Sequence, residues 1–426
     1  MTEALLQFIW QYQCFSTPKL QLVSGQPLEV LSTGVANTGG GPDFLGAQLV
    51  FDNLQWRGSV EVHFKSSYWY THQHQDDPAY DGVILHVVWE DDIEVVGPGG
   101  PLPTLCLAEF VSPEILARYT TKLTQPNLFI PCGDAVAQLP LFKWEQWITR
   151  LYIERLEQKI KPLMLRLKTN KNDWEALLFS MLAQNFGLNR NGAVFAAMAD
   201  ATPFRVVQKT SANLLQLEAL FLGQAGLLSS TDREQDYVCQ LQEEYRFLKH
   251  KHQLRPLVGA AVQFARLRPP NFPTLRLAQL ARLYHEKNQL FQAVLSARRP
   301  ADLDWIKNLS VSAYWQSHYT LAAGKKATTK RPKKLSASFF DLLCINTFVP
   351  LRFAYQKRMG QENAPSALRW MEAIVAEKNK VIRGFAALGH PAKNALNSQA
   401  LLHLKQHYCI PKRCLKCAVG HHLMTE

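Results

Sequence analysis

Residues 58–89, "GSVEVHFKSSYWYTHQHQDDPAYDGVILHVVW", gather Glu61, His63, His72, His74 and His86, and Asp43 precedes them in "GGGPDF". A strand sends alternate side chains to one face, so Glu61, His63 and Lys65 share a side if the strand runs that far. Asp43 stands at the entrance of the preceding strand. Neighbouring strands lie about 4.8 Å apart, so two carboxylates at one height can share a divalent cation. Mg²⁺ or Mn²⁺ held by Asp43 and Glu61 would suit phosphodiester hydrolysis, in which the metal stabilises developing charge and a neighbouring base orients water. His63, helped by Lys65, is the candidate base. His72 and His74 are candidates for contacting the scissile phosphate or protonating the leaving group.

Plainer roles compete. Asp43 can cap a turn after the glycines. Glu61 can pair with Arg57 or Lys65, and His63 and His86 can be hydrogen-bonded scaffold. The His72-x-His74 pair, with Asp76 and Asp77 beside it, suits Zn²⁺, Fe²⁺ or Ni²⁺ better than Mg²⁺. With His63 or His86 it would make a three-histidine, cupin-like site. Too few strands precede the helical part of the chain for a double-sheet jelly roll.

A second constellation closes the chain. "YCIPKRCLKCAVGHH" spaces Cys409, Cys414 and Cys417 as C-x4-C-x2-C. Thiolates at that spacing can wrap a soft metal. His421 or His422 would complete a Cys₃His zinc site, and Cys132 of "FIPCGD" is the alternative fourth ligand. The same run with a distant fourth cysteine also suits an iron–sulfur cluster. The remaining cysteines read as small buried hydrophobes in a reducing compartment.

The elements that must position these groups divide the chain in two. Its 426 residues suggest two domains, and 47% hydrophobic content is ample for their cores. Residues 1–130 read as a small mixed-sheet head. It has a helix at 3–13, a hairpin turning at Ser24-Gly25, strands at 47–53, 57–64 and 82–89, and a helix at 112–123. The 82–89 strand is apolar on both faces and belongs inside a sheet. From 140 to 426 the period is helical, with helices expected at 144–161, 174–186, 191–200, 213–223, 234–252, 274–284, 286–297, 338–357, 363–380 and 396–408. The fold class is α+β, a mixed-sheet N-terminal domain followed by a larger all-α domain.

A net charge of +12 favours polyanionic partners, nucleic acid first. The basic break at 322–336 is read as a solvated loop, with a phosphate-contacting arm as the alternative. Arg266, Arg268 and Arg276 are expected to pair with acids such as Glu243 or Glu244. No apolar run approaches the roughly 20 residues that span a bilayer, and the N-terminus lacks secretory features. No membrane association and a cytoplasmic location are the expectation.

Two resemblances follow. Pro42-Asp43 and Glu61-Val62-His63 resemble the PD and (D/E)XK elements of the PD-(D/E)XK nuclease superfamily, with histidine in the lysine position. The order helix, hairpin, Asp-bearing strand, Glu-bearing strand, helical turn and apolar strand resembles its restriction-endonuclease-like αβββαβ core. That resemblance implies metal-dependent cleavage, although neutral imidazole lacks the lysine's fixed charge. Longer blocks, among them "GPDFLGAQL", "LEALFLGQAGLL", "LRPPNFPTLRLAQLA", "INTFVPLRFAY" and "CLKCAVG", resemble the bacterial family called domain of unknown function 2851. This second resemblance implies a cytosolic protein and supports Cys132 as the fourth thiolate.

Overall fold

The computed structural model describes residues 2–37, 39–123, 129–228, 236–257, 262–321, 328–361 and 364–425. Two compact units divide the chain. Met1–Trp147, Gly384–His390 and Leu404–Glu426 form one, and Ile148–Arg383 with Pro391–His403 form the other. This differs from the expected division into 1–130 and 140–426, because the C-terminal residues pack in the sheet's unit. The last helix, Ala418–Thr425, buries Val419, Leu423 and Met424. Its His421 ring meets Phe8 of the first helix and Tyr12 just past its end. Sequence position alone does not say which core covers an apolar stripe.

In the first unit, α1 (Glu3–Gln11) precedes eight strands: β1 (Glu29–Ser32), β2 (Val35–Ala36), β3 (Phe44–Phe51), β4 (Leu54–Lys65), β5 (Val83–Glu90), β6 (Val96–Gly97), β7 (Gly100–Pro101) and β8 (Thr104–Cys106). One mixed sheet runs β1-β3-β4-β5-β8, with β2 also on β3, and β6 pairs with β7 separately. The β3–β4 hairpin turns on Asp52 and Asn53, both at positive φ (55° and 57°), as a two-residue turn with this twist requires. β4 and β5 are parallel, with Glu61 opposite His86 and His63 opposite Val88. Their crossover holds only the short helix α2 (Tyr68–Thr71) and two single-turn 3₁₀ segments. Gly58 permits the pairing, since a Cβ there would lie 2.4 Å from Ile84 Cγ2 and 2.8 Å from the Gly82 oxygen. As expected, β5 is an inner strand, between β4 and β8, with Leu85, His86, Val87 and Val88 all buried. α1 buries Leu5, Leu6, Phe8, Ile9 and Trp10. The unit continues through α3 (Pro113–Leu123).

The second unit is helical. Trp174–Phe186 matches its expected span, and Leu188–Asp200, Leu214–Gln224, Asp236–His252 and Pro273–Glu286 lie within three residues of theirs. The segment expected to be helical over 363–380 is helical over Ala364–Glu372. Ala337–Arg358 is one run of 22 residues with a π-helical turn at Cys344–Phe348. By length and composition that run could cross a membrane, contrary to the expectation from the sequence. Two-thirds of its most apolar window (67%) is buried within the protein, and a core helix is apolar all round for that reason.

The arginine expectation also needs correction. Arg276 is buried, but its guanidinium donates to the neutral amides of Gln279 (3.0 Å) and Asn271 (2.7 Å) and lies over the Phe339 ring. Arg266 and Arg268 are exposed. Within the basic break, residues 322–327 lie outside the described residues. Lys333 is buried there, donating to the His318 carbonyl (2.6 Å).

Candidate metal centre

Strand alternation brings the first two side chains together. Glu61 and His63 leave one face of β4, both buried, with His86 beside them on β5. After β4 the chain turns at Ser66 and Ser67, where Ser67 donates through both its N–H and its hydroxyl to Asp92. α2 follows and ends at His72. Gln73 then takes a left-handed conformation (φ 62°), which turns His74 back towards the strand. Asp77 caps the next turn by accepting from the Ala79 N–H (2.9 Å), and Asp76 accepts from Gln75 (2.8 Å).

His63 Nε2 is the hub. It lies 3.1 Å from His72 Nδ1, 3.4 Å from Glu61 Oε1 and 4.0 Å from Glu3 Oε1. His74 Nε2 is 3.5 Å from the same Glu61 oxygen. Donor atoms of His63, His72 and His74 all lie within 4.8 Å of one another. Atoms bound tetrahedrally at about 2.0–2.1 Å sit about 3.3–3.4 Å apart, so the shorter separations fit edges of one coordination shell. His74 Nε2 is buried and has no hydrogen-bond partner among the described residues, the condition of a ligand atom aimed at an ion.

The surroundings fix orientation. His63 Nδ1 lies 2.9 Å from His86 Nε2. If His63 ligates through Nε2, its Nδ1–H donates to His86, which sets the tautomer. The Tyr80 ring stacks on His74 at 3.8 Å, and Trp69 packs edge-on against His74 and tilted against His86.

Asp43 stands next to Glu61 and is fully engaged. Its backbone N–H donates to Glu61 Oε2 (3.0 Å), while its own carboxylate accepts from the Val62 N–H (3.2 Å) and from Gln7 of α1 (2.9 Å). The preceding bend is held by Asn37, whose amide donates to the Gly40 and Pro42 carbonyls, with Gly41 at φ 91°. Lys65 stands apart, its ammonium bonded to Glu90 at 3.0 Å.

Burial dominates the electrostatics of these groups. Burial, and then the charge of Asp43, pushes the Glu61 carboxyl up to about 8. Burial pulls His86 down to about 3 and lowers His63 and His74 as well, so the imidazoles are neutral. Neutral imidazole is the metal-binding form. Burial raises Asp43, whereas the Lys416 charge lowers it, so the basic tail lies within electrostatic reach.

Glu3 and Gln7 of α1 join the site from outside the stretch that drew attention in the sequence, and Tyr80 joins it from within. Glu3 reads there only as an early acid that argues against a signal peptide. Cys132, Cys409, Cys414 and Cys417 all belong to the same unit.

No curated protein and no solved structure matches the chain. A family profile described as a protein of unknown function, DUF2851, matches residues 3–380. The matched range includes the Glu61–His74 block and Cys132 and ends before Cys409. With that match over most of its length, the chain belongs to the DUF2851 family.

Proposed function

We propose that the protein is a metal-dependent phosphodiesterase acting on nucleic acid, with its cation held by Glu61, His63, His72 and His74. The observation that carries this reading is the convergence of three imidazoles and a buried carboxylate on one point, with His63 Nε2 at 3.1 Å from His72 and 3.4 Å from Glu61. Three nitrogen donors favour Mn²⁺, Fe²⁺ or Zn²⁺ over Mg²⁺. A divalent cation held there would polarise a phosphoryl oxygen and lower the pKa of an attacking water.

The chain's own residues supply the rest. Asp43 orients Glu61 through its backbone N–H. Glu3, 43% exposed and 4.0 Å from His63, is the acid placed to take a proton from water. Exposed Lys416, whose charge reaches Asp43, offers a phosphate contact. One open mixed sheet is unlike the double-sheet arrangement of a cupin, which favours the restriction-endonuclease-like reading over the cupin-like one.

The test is cleavage of single- and double-stranded DNA and of RNA by the full chain with Mn²⁺, Fe²⁺ or Zn²⁺. Cleavage that is lost in Glu61→Gln and His63→Ala, with helicity retained, supports the reading. Absence of cleavage with all three ions, or wild-type rates in both variants, defeats it. Binding without cleavage would favour a nucleic-acid-binding scaffold instead.

A further inference from the structure

We propose that Cys132, Cys409, Cys414 and Cys417 bind a second metal centre through four thiolates, either a zinc ion or an iron–sulfur cluster. It is independent of the histidine site and goes beyond the proposed phosphodiesterase.

Three separate pieces of backbone deliver the sulfurs. Cys132 precedes the 3₁₀ turn Gly133–Gln138, Cys409 ends the π-helical turn Lys405–Cys409, and Cys414 opens the turn Cys414–Lys416. Cys417 immediately precedes the last helix, Ala418–Thr425. The Cys417 N–H donates to the Cys414 carbonyl (3.0 Å), closing the C-x2-C turn. Gly420 lets that turn sit on the helix start, since a Cβ there would lie 2.0 Å from the Cys414 oxygen. Hydrogen bonds hold the partner segments in place. Lys405 donates to the Phe129 carbonyl and lies over the Phe129 ring, while His390 and His422 bond the carbonyls of Val136 and Gln138. The Trp147 ring packs against Tyr408.

Burial raises the Cys417 thiol, and the Val419 and Gly420 N–H groups lower it. Such N–H···S bonds stabilise a thiolate rather than a thiol. The four groups also face one another electrically. After burial, the charges of its fellow cysteines push Cys132 up to about 12, and those of Cys417 push Cys414 up to about 11. All four are free cysteines, and Cys417 is buried. Four cysteines gathered from segments held together in this way would need a cation to ionise together. Histidine is not required as a fourth ligand, because His421 packs against Phe8 and Tyr12 and His422 bonds Gln138. A metal here would clamp the tail that carries Lys416 close to Asp43.

The experiment is anaerobic purification of the full chain, followed by metal and acid-labile sulfide analysis and a visible spectrum. One zinc per chain with no visible absorbance identifies zinc. Iron with equimolar sulfide and broad charge-transfer absorbance identifies a cluster. Either should be lost in Cys132→Ser and Cys414→Ser and kept in His63→Ala and Cys239→Ser. If the serine variants do not fold, the wild type still answers: a mercurial titration should release the metal as four thiols react. Protein that takes up neither zinc nor an iron–sulfur cluster on anaerobic reconstitution overturns the proposal. So does a disulfide among these cysteines in freshly isolated protein, or metal retained in both serine variants.

Discussion

Glu218 is 1% exposed in the helical unit, and one of its oxygens has no hydrogen-bond partner among the described residues. The other accepts from the Tyr237 hydroxyl (2.6 Å) and from Ser312 (3.2 Å). Burial outweighs these bonds and raises the carboxyl from 4.5 to about 7. The folded chain therefore keeps a proton that the unfolded chain releases. Stability is fully present below about pH 4.5 and is lost as the pH rises through about 7. Each pH unit in that window costs at most about 1.4 kcal/mol, so from pH 5 to pH 8 the loss approaches about 2.7 kcal/mol. Glu218→Gln keeps the shape and removes the titration. Urea unfolding of both proteins at pH 5 and pH 8, followed by far-ultraviolet circular dichroism, measures the difference. The wild type should lose about 2–3 kcal/mol more than the variant between the two pH values. Equal losses would refute the idea that this acid is held neutral by burial.

Other consequences can be measured directly. Gly58→Ala should destabilise the sheet unit by about 1–3 kcal/mol, because the added methyl meets Ile84 and the Gly82 carbonyl; a thermal melt at the wild-type midpoint would contradict this. His86→Phe removes the group facing His63 Nδ1 and should weaken metal binding about 10–100-fold in a Mn²⁺ titration while the fold persists. Lys416→Glu should raise KM for nucleic acid and flatten its salt dependence by about one ion, leaving metal affinity unchanged. An unaltered KM would remove the tail from substrate binding.

Local pattern made much of the first unit legible. Alternation along residues 57–64 placed Glu61 and His63 on one face, and the doubly apolar 82–89 run marked an inner strand. The His72-x-His74 pair signalled its chemistry because imidazoles two residues apart are unusual on a short loop. What stayed hidden depends on contacts distant in sequence. Glu3 and Gln7 reach the site only because α1 lies beside β4, and nothing in "MTEALLQF" announces that. Lys65 shares a face with His63 in principle, yet the end of the strand leaves it to solvent and to Glu90. Asp76 and Asp77 resemble ligands by composition, but the turn after His74 uses Asp77 as a cap. The tail joins the sheet's unit through apolar residues that any core could have covered. π-helical turns at Cys344–Phe348 and Lys405–Cys409 interrupt helices that periodicity reads as continuous.

The most direct test of the histidine centre is Mn²⁺ binding to the chelator-stripped full chain, with pulsed electron paramagnetic resonance reading nitrogen coupling to the bound ion. One tightly held Mn²⁺ per chain with imidazole coupling, abolished in His63→Ala and His74→Ala, is the predicted result. An ion bound without nitrogen coupling, or unchanged binding in both variants, would contradict it.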